Sequence, residues 1–159
     1  MSVLTRGLAN RCCAKGVGTS TASSQIASRP SSLLRQLGAA DARHFEPVLS
    51  RCPTLLLEAG TRLSPGRLSP APLLVVEDGI VAIATSPESE GRPMTVAIVR
   101  GGDLLVPPHE GECLWAPTDA VVTLLPTPVV QALLVRPAVV RVVVERLIDA
   151  VVDRQQSLV

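Results

Sequence analysis

The chain has 159 residues, 47% of them hydrophobic and 18% charged, which suits one domain with a real core plus a tail and excludes a chain disordered throughout. Its aromatic side chains come down to Phe45 and Trp115, so Val, Leu, Ile and Ala must fill the core, and the stacking platforms of single-strand nucleic-acid binders are missing. The net charge of +1 is uneven: Arg6, Arg11, Lys15, Arg29 and Arg35 face no acid within residues 1–40, which leaves 10 basic against 14 acidic residues after them, and a body at −4 is a poor partner for a phosphate backbone.

Residues 1–30 are rich in Ser, Thr, Gly and Arg, lack acids and show no sustained apolar period. They are read as a disordered Ser/Arg-rich N-terminal arm. The same composition suits a transit peptide or an upstream start codon, and these alternatives stay open. No apolar run of a secretion signal is present, so a cytoplasmic location is expected.

In "SSLLRQLGAADARHFEPVLS", residues 31–50, Leu33, Leu34 and Leu37 make the apolar face of a first short helical piece that Gly38 ends. A second piece starts at Ala40 or Asp41 and turns Phe45, Val48 and Leu49 inward. From Arg51 the period changes. "CPTLLLEAG" reads as a strand and turn closed by Ala59-Gly60. "LLVVEDGIVAIA", residues 73–84, places two β-branched runs around Asp78-Gly79 and predicts a tight hairpin, with Gly79 supplying a positive φ. "TSPESEGRP", 85–93, is a polar loop, and "MTVAIV", 94–99, is a strand ending at Gly101-Gly102. "AVVTLLP", 120–126, is another strand. Short strands with frequent turns indicate a sandwich or barrel of jelly-roll type.

The apolar window 121–144 is not read as a membrane span. It contains Pro126, Pro128 and Pro137 together with Arg136 and Arg141, and each central Arg costs about 2.5–3.5 kcal/mol on insertion scales. A buried strand followed by a helix accounts for it. "PAVVRVVVERLIDAVVDRQQSLV" opens that helix with Pro137 in its first turn. Val140, Val143 or Val144, Leu147, Val151 and Leu158 recur at three- and four-residue steps. So many valines lower intrinsic helicity, so the helix needs a packing partner: its own sandwich, a second copy of itself, or both.

The order of a helix pair, a β-roll and a long C-terminal helix resembles the sensory half of the Crp/Fnr family, the cyclic-nucleotide-binding-like fold. "LLVVEDGIVAIA" is similar to that family's strand–Gly–strand hairpin, and "VAIVRGGDLL", 96–105, to the strand entering its Gly-Asp-Leu turn at the pocket mouth. "LWAPTDAVVTLLPTPVVQALLVRPAVV", 114–140, resembles the last roll strands, the Leu-Pro turn and the short helix before the dimer helix. The resemblance covers about residues 31–159. It implies an α+β, mainly β, architecture: a cyclic-nucleotide-binding-like β-roll over 31–136, then a C-terminal dimerisation helix over 137–159 that uses Val140, Val144, Leu147 and Val151. It also implies a bacterial homodimer in transcription regulation, with a protein partner as a further option.

The same resemblance defines a ligand pocket at Gly101, Gly102, Asp103, Leu104 and Glu112, and a degenerate one. Nucleotide-binding members follow the turn with a short helix whose amides meet the cyclic phosphate, a Glu for the ribose and an Arg for the phosphate charge. Here only "VPPHEGE", 106–112, precedes the next strand. Pro107 and Pro108 remove amide donors, Glu110 and Glu112 add negative charge, and no Arg occurs between Gly102 and Arg136. Gly111-Glu112 imitates the ribose-binding pair without its cation. Cyclic-nucleotide binding is therefore not expected. Family regulators also continue into a helix-turn-helix; this chain stops at Val159, so no direct DNA binding is expected of it.

Other chemistry is weakly written. Cys12 and Cys13 are adjacent, no C-x2-C occurs, and Cys52 and Cys113 suit small buried hydrophobes, so no iron–sulfur cluster is expected. His44 belongs to the leading helical segment, at a surface or capping site. His109 lies beside Glu110, Glu112 and Cys113, and a cupin-like metal enzyme centred there is the alternative reading. The reading adopted is a regulatory dimerisation module, not an enzyme, with no cofactor, no metal and no membrane contact.

Overall fold

A computed structural model describes residues 31–85 and 94–156. The arm expected over 1–30, the polar loop beyond Thr85 and Leu158 lie outside the described residues. A 3-10 turn, Leu34–Gln36, leads into α1, Ala39–Leu49. The strands follow: β1 (Thr54–Leu57), β2 (Arg62–Leu63), β3 (Leu73–Asp78), β4 (Ile80–Thr85), β5 (Thr95–Arg100), β6 (Leu104–Leu105), β7 (Glu112–Trp115) and β8 (Ala120–Leu125). A one-turn helix α2 (Pro65–Leu68) separates β2 from β3, and α3 (Thr127–Leu134) and α4 (Pro137–Gln156) close the chain.

The strands form two antiparallel sheets of four, in the orders β1-β8-β3-β6 and β2-β7-β4-β5. This is the expected jelly-roll arrangement, with one correction. The 73–84 segment is not a hairpin. β3 pairs with β8 and β6, whereas β4 pairs with β7 and β5, so Asp78-Gly79 is a corner at which the chain changes sheet. The positive φ of +81° at Gly79 is present, but it turns a corner. The pairing partner of β4 in sequence is β5, with Val81 opposite Val99 and Ile83 opposite Ala97.

Burial on both faces explains the unbroken run "LLVV" in β3. Leu74 and Val76 point between the sheets, into a core with Leu57, Leu63, Leu68, Val81, Ile83, Leu114 and Val122. Leu73 and Val75 point the other way, under the helices, with Phe45, Leu49, Leu104, Leu125, Leu133, Val139 and Val143. Each fully buried aliphatic side chain of this kind contributes about 1.5–3 kcal/mol. Aliphatic packing thus does the work that aromatics do elsewhere.

α1 buries Phe45 and Leu49, one turn apart, while Val48, expected inward, is 37% exposed at the edge of that stripe. The helix also starts at Ala39, slightly before the expected start. At the α3–α4 corner Arg136 pairs with Asp41 of α1 at 2.9 Å. α3 and α4 meet at 115°, and no single helix among the described residues is long and apolar enough to cross a membrane.

Candidate functional site

The turn Gly101-Gly102-Asp103 joins β5 to β6 and is held by backbone bonds on every side. Gly101 N–H donates to Gly79 O (3.1 Å), Gly102 N–H to Val76 O (2.7 Å), and Asp103 N–H to Arg100 O (3.1 Å). Gly102 has φ +102°, and a Cβ at Gly101 would meet Asp78 Cα and Glu77 O at 3.4 Å. Gly102 therefore supplies the left-handed backbone of the turn, and at Gly101 a side chain would only come into ordinary contact with the β3–β4 corner. Leu104 and Leu105 then dive into the two cores, one each, and pair with Val75 and Leu74.

The structure does not bring Glu112 to this turn. The turn stands at the Ile80 end of β4, since Ile80 pairs with Arg100. Glu112 pairs with Thr85, at the other end of the same strand. Five residues of strand separate the two places by about 16 Å. Loop 106–112 closes on itself instead: Glu112 N–H donates to His109 O and His109 N–H donates to Glu112 Oε2, both at 3.0 Å, around Gly111 at φ +83°.

Beside the turn, between β5 and α4, lies an open cavity of about 320 Å³. Ile98, Val99, Ala150 and Val152 give it apolar walls, and Asp103, Arg146 and Asp149 give it charge. Arg146 carries the cation that the sequence lacks between Gly102 and Arg136, and α4 delivers it. Its NH1 lies 3.7 Å from Asp103 Oδ1, and its Nε donates to Gln36 Oε1 at 2.7 Å. Sequence reasoning passed over Arg146 and Gln36, which lie 110 residues apart and belong to no motif.

α4 carries two apolar stripes. Val139 and Val143 are buried at 0% and 4% in the core under the helices. Val144, Ile148, Val151 and Val152 lie outside it and are 44–55% exposed, Val152 at the edge that the stripe shares with the cavity. Of the four residues expected at a dimer seam, Val144 and Val151 lie on the outward stripe, Val140 is half-buried, and Leu147 packs against the core from its edge. Ile148 and Val152 join the outward stripe and were not singled out from the sequence.

Cys52 and Cys113 are both buried, as expected of small hydrophobes, and burial pushes the Cys52 thiol up from its ordinary range. His44 is exposed on α1 and packs edge-on against Phe45, with ring centroids 4.8 Å apart. His109 is exposed in its loop. Among the described residues no three His, Cys, Asp or Glu side chains stand together as a metal-binding group.

The fold is similar to that of several solved bacterial regulators. A CooA mutant from Carboxydothermus hydrogenoformans matches with a TM-score of 0.62 at 20% identity, over 79% of this chain and 82% of that one. The imidazole-bound form of the CO-dependent transcription factor CooA from the same organism matches with a TM-score of 0.60 at 17% identity, over 84% of this chain and 57% of that one. A transcriptional regulator of the Crp/Fnr family from Eubacterium rectale matches with a TM-score of 0.57 at 16% identity, over 78% and 60%. This chain thus spans somewhat over half the length of the last two. No family model matches the chain, and no curated protein matches it. The chain has the cyclic-nucleotide-binding-like fold of Crp/Fnr-type regulators, with a C-terminal helix.

Proposed function

We propose that this chain is a regulatory sensory module of Crp/Fnr type, not an enzyme, that works as a homodimer through the outward stripe of α4. The observation that carries the reading is the pair of opposed stripes on one helix. Val139 and Val143 dock α4 on its own roll, which leaves Val144, Ile148, Val151 and Val152 exposed on a helix whose valines disfavour helicity without a partner. A second copy of the same helix supplies that partner with matching apolar surface. The fold's likeness to transcription regulators supports the regulatory role and a cytoplasmic setting away from membranes.

Cyclic nucleotides are not the ligand in this reading. A buried phosphate needs a cation with free donors. The cation of the cavity, Arg146, is 40% exposed rather than buried, its Nε is taken by Gln36, and Asp103 and Asp149 place two negative charges beside it that a phosphate would have to face. The turn amides of Gly101, Gly102 and Asp103 donate to backbone carbonyls and not into the cavity. Direct DNA binding is disfavoured by the net −4 of the residues after 40, and the output passes through a protein partner.

Native mass spectrometry of the full chain tests this reading. A mass of twice 16.7 kDa with nothing bound is expected. A monomer at tens of micromolar, or a dimer carrying a nucleotide, contradicts it. A bound metal that disappears with His109→Ala would favour the cupin-like alternative.

A further inference from the structure

Gln36 ties together three segments that are far apart in sequence. It ends the 3-10 turn whose Leu33 and Leu34 are 1% and 7% exposed, so its backbone is anchored in the core. Its Nε2 donates to Gly102 O at 2.6 Å and to Ser32 O at 3.3 Å, and its Oε1 accepts from Arg146 Nε at 2.7 Å. One amide thus uses both of its ends. Ahead of it, Ser31 Oγ and Ser32 N–H donate to the Glu77 carboxylate at 2.7 and 2.6 Å. Glu77 is the residue skipped in the register of β3 with β8, between Val76 opposite Val122 and Asp78 opposite Val121, so a bulge aims it at the N-terminal turn.

The contacts of α4 change along its length. Its first turns are held by Val139 and Val143, both buried. Beyond Val143 the residues turned to the roll are Arg146, Leu147 and Ala150, all only partly buried. Of these, Arg146 makes the polar contacts, to Gln36 and Asp103. The outward stripe, Val144 to Val152, lies on the same second half of the helix.

We propose that Gln36 is a positioning residue: through Arg146 it fixes the second half of α4 against the Gly101–Asp103 turn, and so sets how the outward stripe meets a second copy. The part about the seam rests on the homodimer reading above. The tether does not, because it lies within one chain. The chemistry calls for an amide. A carboxylate at position 36 keeps an acceptor for the Arg146 guanidinium but loses the donor to Gly102 O. An alanine loses both.

The test compares the full-length wild type with Gln36→Ala, Gln36→Glu and Arg146→Lys. Amide hydrogen exchange is followed at a dilution where the chain is monomeric, so the seam does not contribute. In Gln36→Ala the α4 amides 146–152 exchange roughly tenfold faster, and the β3 and β8 amides are unchanged. In Gln36→Glu the helix keeps its protection while residues 100–103 lose theirs. Arg146→Lys, which loses the Nε–H and the fork, behaves in α4 like Gln36→Ala. Sedimentation equilibrium then shows dimerisation weakened about fivefold in Gln36→Ala. Unchanged α4 exchange in Gln36→Ala, or Gln36→Glu exchanging like it, overturns the tether. An unchanged dimerisation constant beside a loosened α4 overturns its control of the seam. A wild type monomeric at every concentration removes the homodimer reading and that control with it, while the exchange data decide the tether alone.

Discussion

Gly79 packs so tightly on Asp119 that a Cβ at position 79 would overlap the Asp119 carbonyl oxygen and stand 2.8 Å from Ala120 Cα. The β3–β4 corner and the β7–β8 connection therefore fit together only because residue 79 has no side chain. Two side chains of that connection hold its neighbours: Thr118 Oγ1 accepts from Ile80 N–H of the corner (3.1 Å), and Asp119 Oδ1 accepts from Ala59 N–H of the β1–β2 turn (2.8 Å).

This contact separates two glycines that look alike by dihedral angle. Gly79 has φ +81° and Gly60 has φ +88°, but a Cβ at Gly60 meets nothing within 4 Å. Gly60→Ala is expected to cost about 1 kcal/mol, from the backbone conformation alone. Gly79→Ala adds a backbone clash and is expected to cost roughly 3 kcal/mol or more. Urea unfolding of the two variants checks this; equal costs would mean that the corner relaxes freely.

The register of α4 gives a second prediction. Val143 is 4% exposed and Val144 is 44% exposed. Val143→Asp buries an unpaired carboxylate and should unfold the chain or cost roughly 3–5 kcal/mol. Val144→Asp should leave the melting temperature of the monomer nearly unchanged and lower the dimer fraction. Circular dichroism melts with size-exclusion chromatography distinguish the two, and reversed behaviour would put the helix in the wrong rotation.

Alkaline stability gives a third. Burial raises the Cys52 pKa above its ordinary 9.0, because the thiolate would have to leave water. The folded state then holds its proton where the unfolded state has lost it. The stabilisation tied to the neutral thiol is complete below pH 9.0 and is lost as pH rises through the folded value. Above pH 9.0 the wild type should lose stability faster than Cys52→Ala, in chemical denaturation at each pH. Parallel pH profiles would show that the thiol is not desolvated in solution.

Much of the fold is legible in the sequence because local chemistry decides it. The strand edges at Asp78-Gly79 and Gly101-Gly102, the helix at Pro137 and the apolar filling without aromatics all follow from residues close together in the chain. Pairing is less legible. Asp78-Gly79 has the composition of a hairpin turn, and only the wider competition for partners makes it a corner, because β8 takes β3 and β7 takes β4. Two-residue strands such as Arg62–Leu63 and Leu104–Leu105 are too short for any period to show. In α4 valine occupies so many positions that three- and four-residue steps fit more than one face, which is why Val143 and Val144 look equivalent until the core separates them. The cavity is less legible still. Arg146 reaches it from α4, Ile98 from β5 and Asp103 from the turn, while Glu112, which the family resemblance places beside the turn, stands at the other end of β4.

Whether the outward stripe of α4 is the seam of a homodimer is tested by sedimentation equilibrium of the full-length wild type beside Ile148→Asp. Ile148 is 55% exposed in the middle of the outward stripe and touches neither core, so its replacement should leave the roll folded. A wild-type dimer at tens of micromolar and an Ile148→Asp monomer with unchanged circular dichroism are expected. A monomeric wild type, or a variant that dimerises as well as the wild type, would contradict the assignment of this helix face as the seam.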